Sequence, residues 1–286
     1  MSWTVLELLR AAADHLAARA YETPRLDAEL LLARALQSDR LRLYVEHDMP
    51  VADEVRATYR ELIKRRASGE PVAYILGERE FYGLVYHVDA RCLVPRPETE
   101  HLVDEALAHL VGCEAPRVVD VGTGSGCIAI SIAHRRPDAL VVATDRSSEA
   151  LEVARGNAGR LVPAGDVAFF EGDLLAPVAD LAPFDLVASN PPYITRDEMT
   201  QLPLDVRAHE PPLALDSGDD AVAFHKRILE MSEPMLAPAG AVVMELGDGG
   251  AAALAPWLDA RRKIWCCRTV QDLAGVARVL VCTRTK

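Results

Sequence analysis

From residue 117 onward, short β-branched runs alternate with helical stretches, and this alternation restricts the possible folds more than any other feature of the chain. Parallel strands joined by crossover helices bury both faces of their sheet, so the pattern predicts an α/β domain with helices on either side. Strands are expected at residues 117–121, 141–144, 167–170, 184–189, 240–246, 264–270 and 278–282. Helices are expected at 128–134, at 149–157 behind a capping Ser147, and at 221–236.

The fourth strand ends on Asn190-Pro191-Pro192-Tyr193. Two prolines give no N–H to a sheet, so the strand stops there, and the residue before a proline is held extended with its carboxamide projecting. Ligands of open α/β sheets bind at the carboxyl ends of strands. The Asn190 side-chain oxygen and the Pro191 carbonyl are two acceptors suited to both hydrogens of an –NH2 group, and Tyr193 offers a flat face for a planar substrate. An amide or aromatic amino nitrogen is a poor nucleophile because its lone pair is delocalised; fixing both N–H bonds turns that lone pair toward an electrophile. Asn190, Pro191 and Tyr193 are therefore the candidate catalytic residues for methylation of an amino group, and Pro192 joins them in the candidate substrate site. The competing structural interpretation is a strand followed by a Pro-rich turn.

Gly122-Thr123-Gly124-Ser125-Gly126 follows the first strand and opens a helix, so backbone can approach a ligand beside free N–H groups. Asp145 ends the next strand about twenty residues on, where an acid accepts from both ribose hydroxyls of a nucleoside cofactor. Asp173 and Leu174, after the third strand, are placed to bracket an adenine ring. NAD is the rival, but the glycines read GxGxG rather than GxGxxG, and no hydride-transfer acid or base accompanies the fourth strand. S-adenosylmethionine brings its own methyl electrophile and accounts for all three sites, with Asn190 also near the cofactor. No metal site is expected: the six cysteines show neither CxxC nor metal-ligand spacing with histidine and read as small buried hydrophobes.

The first 66 residues carry only helical patterning, with Leu6, Leu9, Ala13 and Leu16 at helix spacing, Thr23-Pro24 opening a second helix and Asp53 opening another. Residues 1–75 are read as a small all-α bundle, a scaffold or partner-docking module. Residues 76–286 form the second domain, beginning with a β-hairpin linker at 76–97 drawn from the aromatic and β-branched stretch 74–93. Pro95-Arg96-Pro97 is a stiff turn into a helix at 99–110, with Arg96 a candidate to face the site. A net charge of −12 argues against a protein that coats nucleic acid; a local basic run, Lys64-Arg65-Arg66, reads as a solvated helix face. No leader or membrane-spanning run is visible, so a cytoplasmic setting is expected.

Several stretches together resemble the protein-(glutamine-N5) methyltransferases that act on peptide chain release factors. They are Gly69-Glu70-Pro71 with Tyr74-Ile75-Leu76-Gly77, Glu80-Phe81-Tyr82-Gly83, Val94-Pro95-Arg96-Pro97-Glu98-Thr99-Glu100, Asp120-Val121 before the glycine turn, Ser189 to Ile194 around the proline pair, Glu210-Pro211-Pro212-Leu213-Ala214-Leu215-Asp216, and Glu245-Leu246-Gly247. The Pro-Arg-Pro-Glu-Thr-Glu stretch is the most specific; the proline tetrapeptide is shared with DNA and RNA amino-methyltransferases. The resemblance implies a Rossmann-like, seven-stranded S-adenosylmethionine-dependent methyltransferase domain whose last strand is antiparallel. It also implies cofactor contacts at Gly122, Thr123, Gly124, Ser125, Gly126, Asp145 and Leu174. The implied substrate is the glutamine of a Gly-Gly-Gln loop in release factors, held at Asn190, Pro191, Pro192 and Tyr193 in a step of translation termination, with the helical domain docking the rest of that protein. The family often has a glutamine soon after Glu245-Leu246-Gly247; here Asp248-Gly249-Gly250-Ala251 stands instead and is assigned no role. The alternatives are a nucleic-acid amino-methyltransferase of the adenine N6 type and a catalytically inert binding protein on the same fold.

Overall fold

The computed structural model describes residues 3–19, 21–163, 166–272 and 274–285. The chain forms two compact units, one of residues 1–78 with 203–209, the other of 79–202 with 210–286.

In the first unit, α1 (Val5–Ala17), α2 (Pro24–Leu36), α3 (Arg40–Val45), α4 (Asp53–Ala67) and α5 (Val72–Leu76) enclose Leu9, Leu16, Leu31, Leu32 and Tyr59. Fully burying one such leucine is worth about 1.5–3 kcal/mol, so these few contacts organise the bundle. Helix α1 opens on a capping box: the Thr4 hydroxyl accepts from the Glu7 N–H, and the Glu7 carboxylate accepts from the Thr4 N–H at 2.8 Å. Thr23 stands at the N-cap of α2 as expected, but its hydroxyl donates to Asp27 Oδ1 instead of accepting a helix N–H. Residues 74–76, read from sequence as the start of the hairpin stretch, belong instead to helix Val72–Leu76, because Pro71 starts a turn that Gly77 closes in the left-handed region. Two residues of the basic run are exposed as expected, Lys64 paired with Glu61 and Arg65 with Glu70, whereas Arg66 is buried between Asp27 (2.7 Å) and Asp205 (3.1 Å).

The second unit begins with a hairpin, β1 (Glu78–Phe81) and β2 (Leu84–His87). Tyr82 and Gly83 between them both have positive φ, which suits a tight turn matched to strand twist. A 3₁₀ turn at Pro97–Thr99 leads into α6 (Glu100–His109). There follow β3 (Arg117–Val121), α7 (Cys127–Arg135), β4 (Leu140–Asp145), α8 (Ser148–Leu161), β5 (Val167–Glu171) and β6 (Phe184–Ser189). After these come the two-residue β7 (Ile194–Thr195), α9 (Arg196–Met199), α10 (Leu204–His209) of the first unit, and β8 (Asp216–Gly218), which pairs with β7. The chain closes with α11 (Ala223–Ser232), β9 (Leu236–Glu245), α12 (Gly250–Ala260), β10 (Trp265–Gln271) and β11 (Ala277–Arg284). The expected helix at 221–236 is shorter, because Pro234 sits in a 3₁₀ turn and β9 already begins at Leu236.

The sheet has seven strands in the order β10-β11-β9-β6-β3-β4-β5, and β11 runs antiparallel to both neighbours. Strand order reverses beside β3, flanked by β6 and β4, and that is where an open sheet offers a crevice at its carboxyl edge. One core beneath it collects Val119, Val121, Phe184, Val187, Val242 and Leu280. The cysteines correct the sequence reading: Cys267 and Cys282, partners across β10 and β11, form a disulfide, and Cys266 is exposed.

Candidate active site

A cavity of about 260 Å³ opens at the carboxyl ends of β3, β4, β5 and β6, wholly within the second unit. Its floor is Val121, Gly122 and Gly124 after β3, Thr144 to Ser147 after β4, Gly172 to Leu174 after β5, and Ser189 to Pro192 after β6. Two irregular walls complete it, residues 90–93 and 211–214.

Backbone bonds lock the glycine turn to the next strand: the N–H groups of Gly122 and Thr123 donate to the Thr144 carbonyl at 2.8 and 3.0 Å. Asp145 then accepts from Gly124 N–H at Oδ2 (2.8 Å) and Ser147 N–H at Oδ1 (2.9 Å), which fixes its carboxylate at the cavity edge. Burial raises its pKa above the ordinary value, and these backbone donors oppose the shift. Gly126 closes the turn at φ +84°, and a Cβ there would lie 2.7 Å from Ile130 Cδ1. Thr123, Ser125 and Gly126 do not line the cavity. Thr123 donates its hydroxyl to Asp120 Oδ2 at 2.6 Å, and the Ser125 carbonyl accepts from Asn157 Nδ2 at 2.9 Å. Their work is to hold the turn. Asp120 is fully buried, and its carboxyl is pushed up to about 7 by burial.

The walls are tied from outside the cavity. Asn157 also brackets His87, accepting from its N–H (2.7 Å) and donating to its carbonyl (2.9 Å), which sets the path of residues 90–93. Arg96, expected at the site, does not line the cavity; it pairs with the buried Glu210 at 2.5 Å, and the other Glu210 oxygen accepts from Val94 N–H at 3.2 Å. One carboxylate thereby joins the wall after the hairpin to the wall beginning at Pro211. Asp173 lines the cavity with one oxygen engaged by Arg227 at 2.6 Å, and Leu174 beside it takes φ +49°.

Behind β6, Asn190 and Tyr193 meet two residues that sequence reading assigned no role, Thr99 and Glu245. The Asn190 carboxamide donates from Nδ2 to Thr99 Oγ1 (3.2 Å), Thr99 donates to Glu245 Oε2 (2.5 Å), and the Tyr193 hydroxyl donates to Glu245 Oε1 (3.4 Å). Asn190, Pro191 and Pro192 line the cavity; Tyr193 does not. Its ring packs where a side chain on Gly247 would stand, so a Cβ at that glycine would meet Tyr193 Cδ2 at 2.6 Å. Glu245 is 2% exposed, and burial pushes its carboxyl up to about 7 against the Thr99 hydrogen bond. A lone acid within the otherwise apolar run 241–246 was the available signal for this residue, since a carboxyl on a buried strand needs donors.

With this arrangement in view, the similarities to known proteins are informative. Residues 7–77 match the PrmC N-terminal domain family and residues 99–205 the methyltransferase small domain family. The release factor glutamine methyltransferase of Rhodopirellula baltica is 40% identical over 285 residues, spanning 97% of this chain and 95% of that one. That of Burkholderia pseudomallei is 43% identical, spanning 90% and 88%. Among solved structures, the hMettl16 catalytic domain in complex with the MAT2A 3'UTR hairpin 6 superposes with a TM-score of 0.59 at 17% identity, over 77% of this chain and 84% of that one, a likeness of fold.

Proposed function

The chain belongs to the family of release factor glutamine methyltransferases, and from that premise we propose that it methylates the side-chain amide nitrogen of the glutamine in the Gly-Gly-Gln loop of peptide chain release factors. The observation that carries the reading is the Asn190 carboxamide, whose –NH2 end is bound by Thr99 while its oxygen accepts from no described residue at a cavity wall shared with Pro191. A free amide oxygen beside a proline carbonyl is a pair of acceptors, matched to a substrate group bearing two N–H bonds. Such a pair fixes the amide nitrogen and its lone pair, and orientation of this kind is worth on the order of 7 kcal/mol or more in well-aligned reactions.

The cofactor is S-adenosylmethionine, which supplies a methyl group on a sulfonium centre and needs no metal. The cavity fits it: the floor after β3 is glycine backbone, Asp145 presents a fixed carboxylate for two hydroxyls, and Asp173 and Leu174 stand at the end of β5. Gly122, Gly124, Asp145, Asp173, Leu174 and Asn190 are the residues that would hold it. Thr123, Ser125 and Gly126 support the turn from behind, and Tyr193 supports the Asn190 end through Glu245.

The helical unit is proposed as the docking module for the body of the release factor, and the cytoplasm as its setting. No described helix is long and apolar enough to cross a membrane. Against the nucleic-acid alternative, the basic run on α4 is spent on acids of its own unit. Transfer from methyl-labelled S-adenosylmethionine to release factor, DNA and RNA offered separately tests the reading. Label is expected in the release factor alone; label in either nucleic acid with none in the protein would overturn it.

A further inference from the structure

Thr99 and Glu245 line no part of the cavity, and each is only 2% exposed. They nevertheless decide what Asn190 shows to a substrate, because the polarity of the hydrogen-bond chain is set from its far end. A carboxylate has no proton to give, so Thr99 directs its single hydroxyl proton to Glu245 Oε2 at 2.5 Å. Only lone pairs then remain on Thr99 Oγ1, and the –NH2 end of Asn190, at 3.2 Å, is the end that satisfies them. The Tyr193 hydroxyl donates to the other carboxylate oxygen and adds a second anchor.

We propose that Thr99 and Glu245 are positioning residues: a donor chain rooted on the Glu245 carboxylate holds the Asn190 amide so that its oxygen faces the cavity as the acceptor for a substrate –NH2 group. The inference rests on the reading of Asn190 as the residue that receives the substrate amide. It also predicts a reversal. A protonated Glu245 can donate to Thr99, whose own proton is then free to point at Asn190; the amide rotates, its –NH2 end enters the cavity, and two –NH2 groups confront one another.

The charges around Glu245 come from several elements. Burial is the largest influence and pushes its carboxyl up to about 7; Glu98 in the 3₁₀ turn acts in the same direction, and Arg278 on β11 opposes it. His225 on α11 bonds the Glu245 carbonyl at 2.8 Å through Nε2, and burial lowers its pKa, so the ring is neutral where Glu245 titrates. Arg96 acts on the neighbouring Tyr193.

The test reads the amide directly. Nitrogen-edited NMR of the full chain, without cofactor or substrate, follows the Asn190 side-chain –NH2 signal, assigned by its loss in Asn190→Ala. In the wild type at alkaline pH that signal is expected to be shifted and slow to exchange, to stay so in Thr99→Ser, and to lose both properties in Thr99→Val. As pH falls through about 7 the wild-type signal is expected to move, whereas Glu245→Gln shows no such titration. The titration carries the same test should Thr99→Val fail to fold, and a purely structural Thr99 or Glu245 would not produce it. In transfer assays, Thr99→Val is expected to lower kcat about tenfold or more with cofactor affinity unchanged, as loss of one orienting hydrogen bond does, and Thr99→Ser to restore it. An Asn190 signal identical in wild type and Thr99→Val, or one whose titration survives in Glu245→Gln, overturns the proposal. A wild type that shows the expected Asn190 behaviour yet transfers nothing to release factor overturns the functional reading and leaves the positioning chain supported.

Discussion

Asp145 both fixes the backbone of two turns and lines the cavity. Its two oxygens already accept from Gly124 and Ser147, and a carboxylate oxygen can accept more than one hydrogen bond, so the residue lining the cavity retains acceptor capacity. Asp145→Ala is therefore expected to weaken S-adenosylmethionine binding by about 1.5–3 kcal/mol, the usual loss for a hydrogen bond to a charged group. Isothermal titration calorimetry measures this, and an unchanged dissociation constant would remove Asp145 from the cofactor site. The place of Asp145, Asn190 and Pro191 at strand ends lining the cavity was legible in the sequence because strand ends announce themselves through prolines, glycines and a terminal acid. Thr99 and Glu245 were not, since their bond spans 146 positions and its meaning depends on which partner owns the proton. Thr123, Ser125 and Gly126 belong to a recognisable turn, but a motif does not say which of its side chains turn away from the ligand.

Elements were read best where burial forces a simple pattern. Strands β3 and β6 are buried on both faces and so appear as nearly continuous apolar runs. Helix α5 was missed because Val72, Tyr74 and Ile75 favour strands in isolation, and packing in the helical unit overrides that preference. The Cys267–Cys282 disulfide joins facing positions of β10 and β11, a relation that only the strand register reveals. The segment between β9 and α12 offers an element-level test. Gly247 is where the chain passes the Tyr193 ring, so Gly247→Ala places a Cβ within 2.6 Å of it and forces ring or backbone to move. Overpacking of this kind costs about 1–3 kcal/mol of stability, and because the ring carries the hydroxyl bound to Glu245, kcat is expected to fall while cofactor affinity holds. Thermal denaturation and steady-state kinetics together check it; a variant matching the wild type in both would show that Tyr193 has room to spare.

At the scale of the molecule, the seven-stranded sheet followed from alternation, but the membership of 203–209 in the helical unit did not. That segment comes from the second half of the sequence and joins the first unit at Arg66, through Asp205. The whole chain also carries a pH signature. Burial pushes the Asp120 and Glu245 carboxyls up to about 7, so each favours folding fully below the ordinary carboxyl range and loses that contribution as pH rises through about 7. His225, whose pKa burial lowers, acts on the acid side of its ordinary value of 6.5 and leaves the higher range to the carboxyls. The melting temperature is thus expected to fall as pH rises from about 6.5 to about 8, and a rise over that interval would contradict the burial of these two groups. The central claim concerns one atom of one substrate, and tandem mass spectrometry of a release factor incubated with S-adenosylmethionine and either wild type or Asn190→Ala tests it most directly. The account expects one added methyl group on the side-chain nitrogen of the Gly-Gly-Gln glutamine with the wild type, and a rate lower by about 10²–10³ with Asn190→Ala, the usual cost of removing one preorganised contact at a reacting centre. A methyl group at any other position, or equal modification by the two proteins, would contradict it.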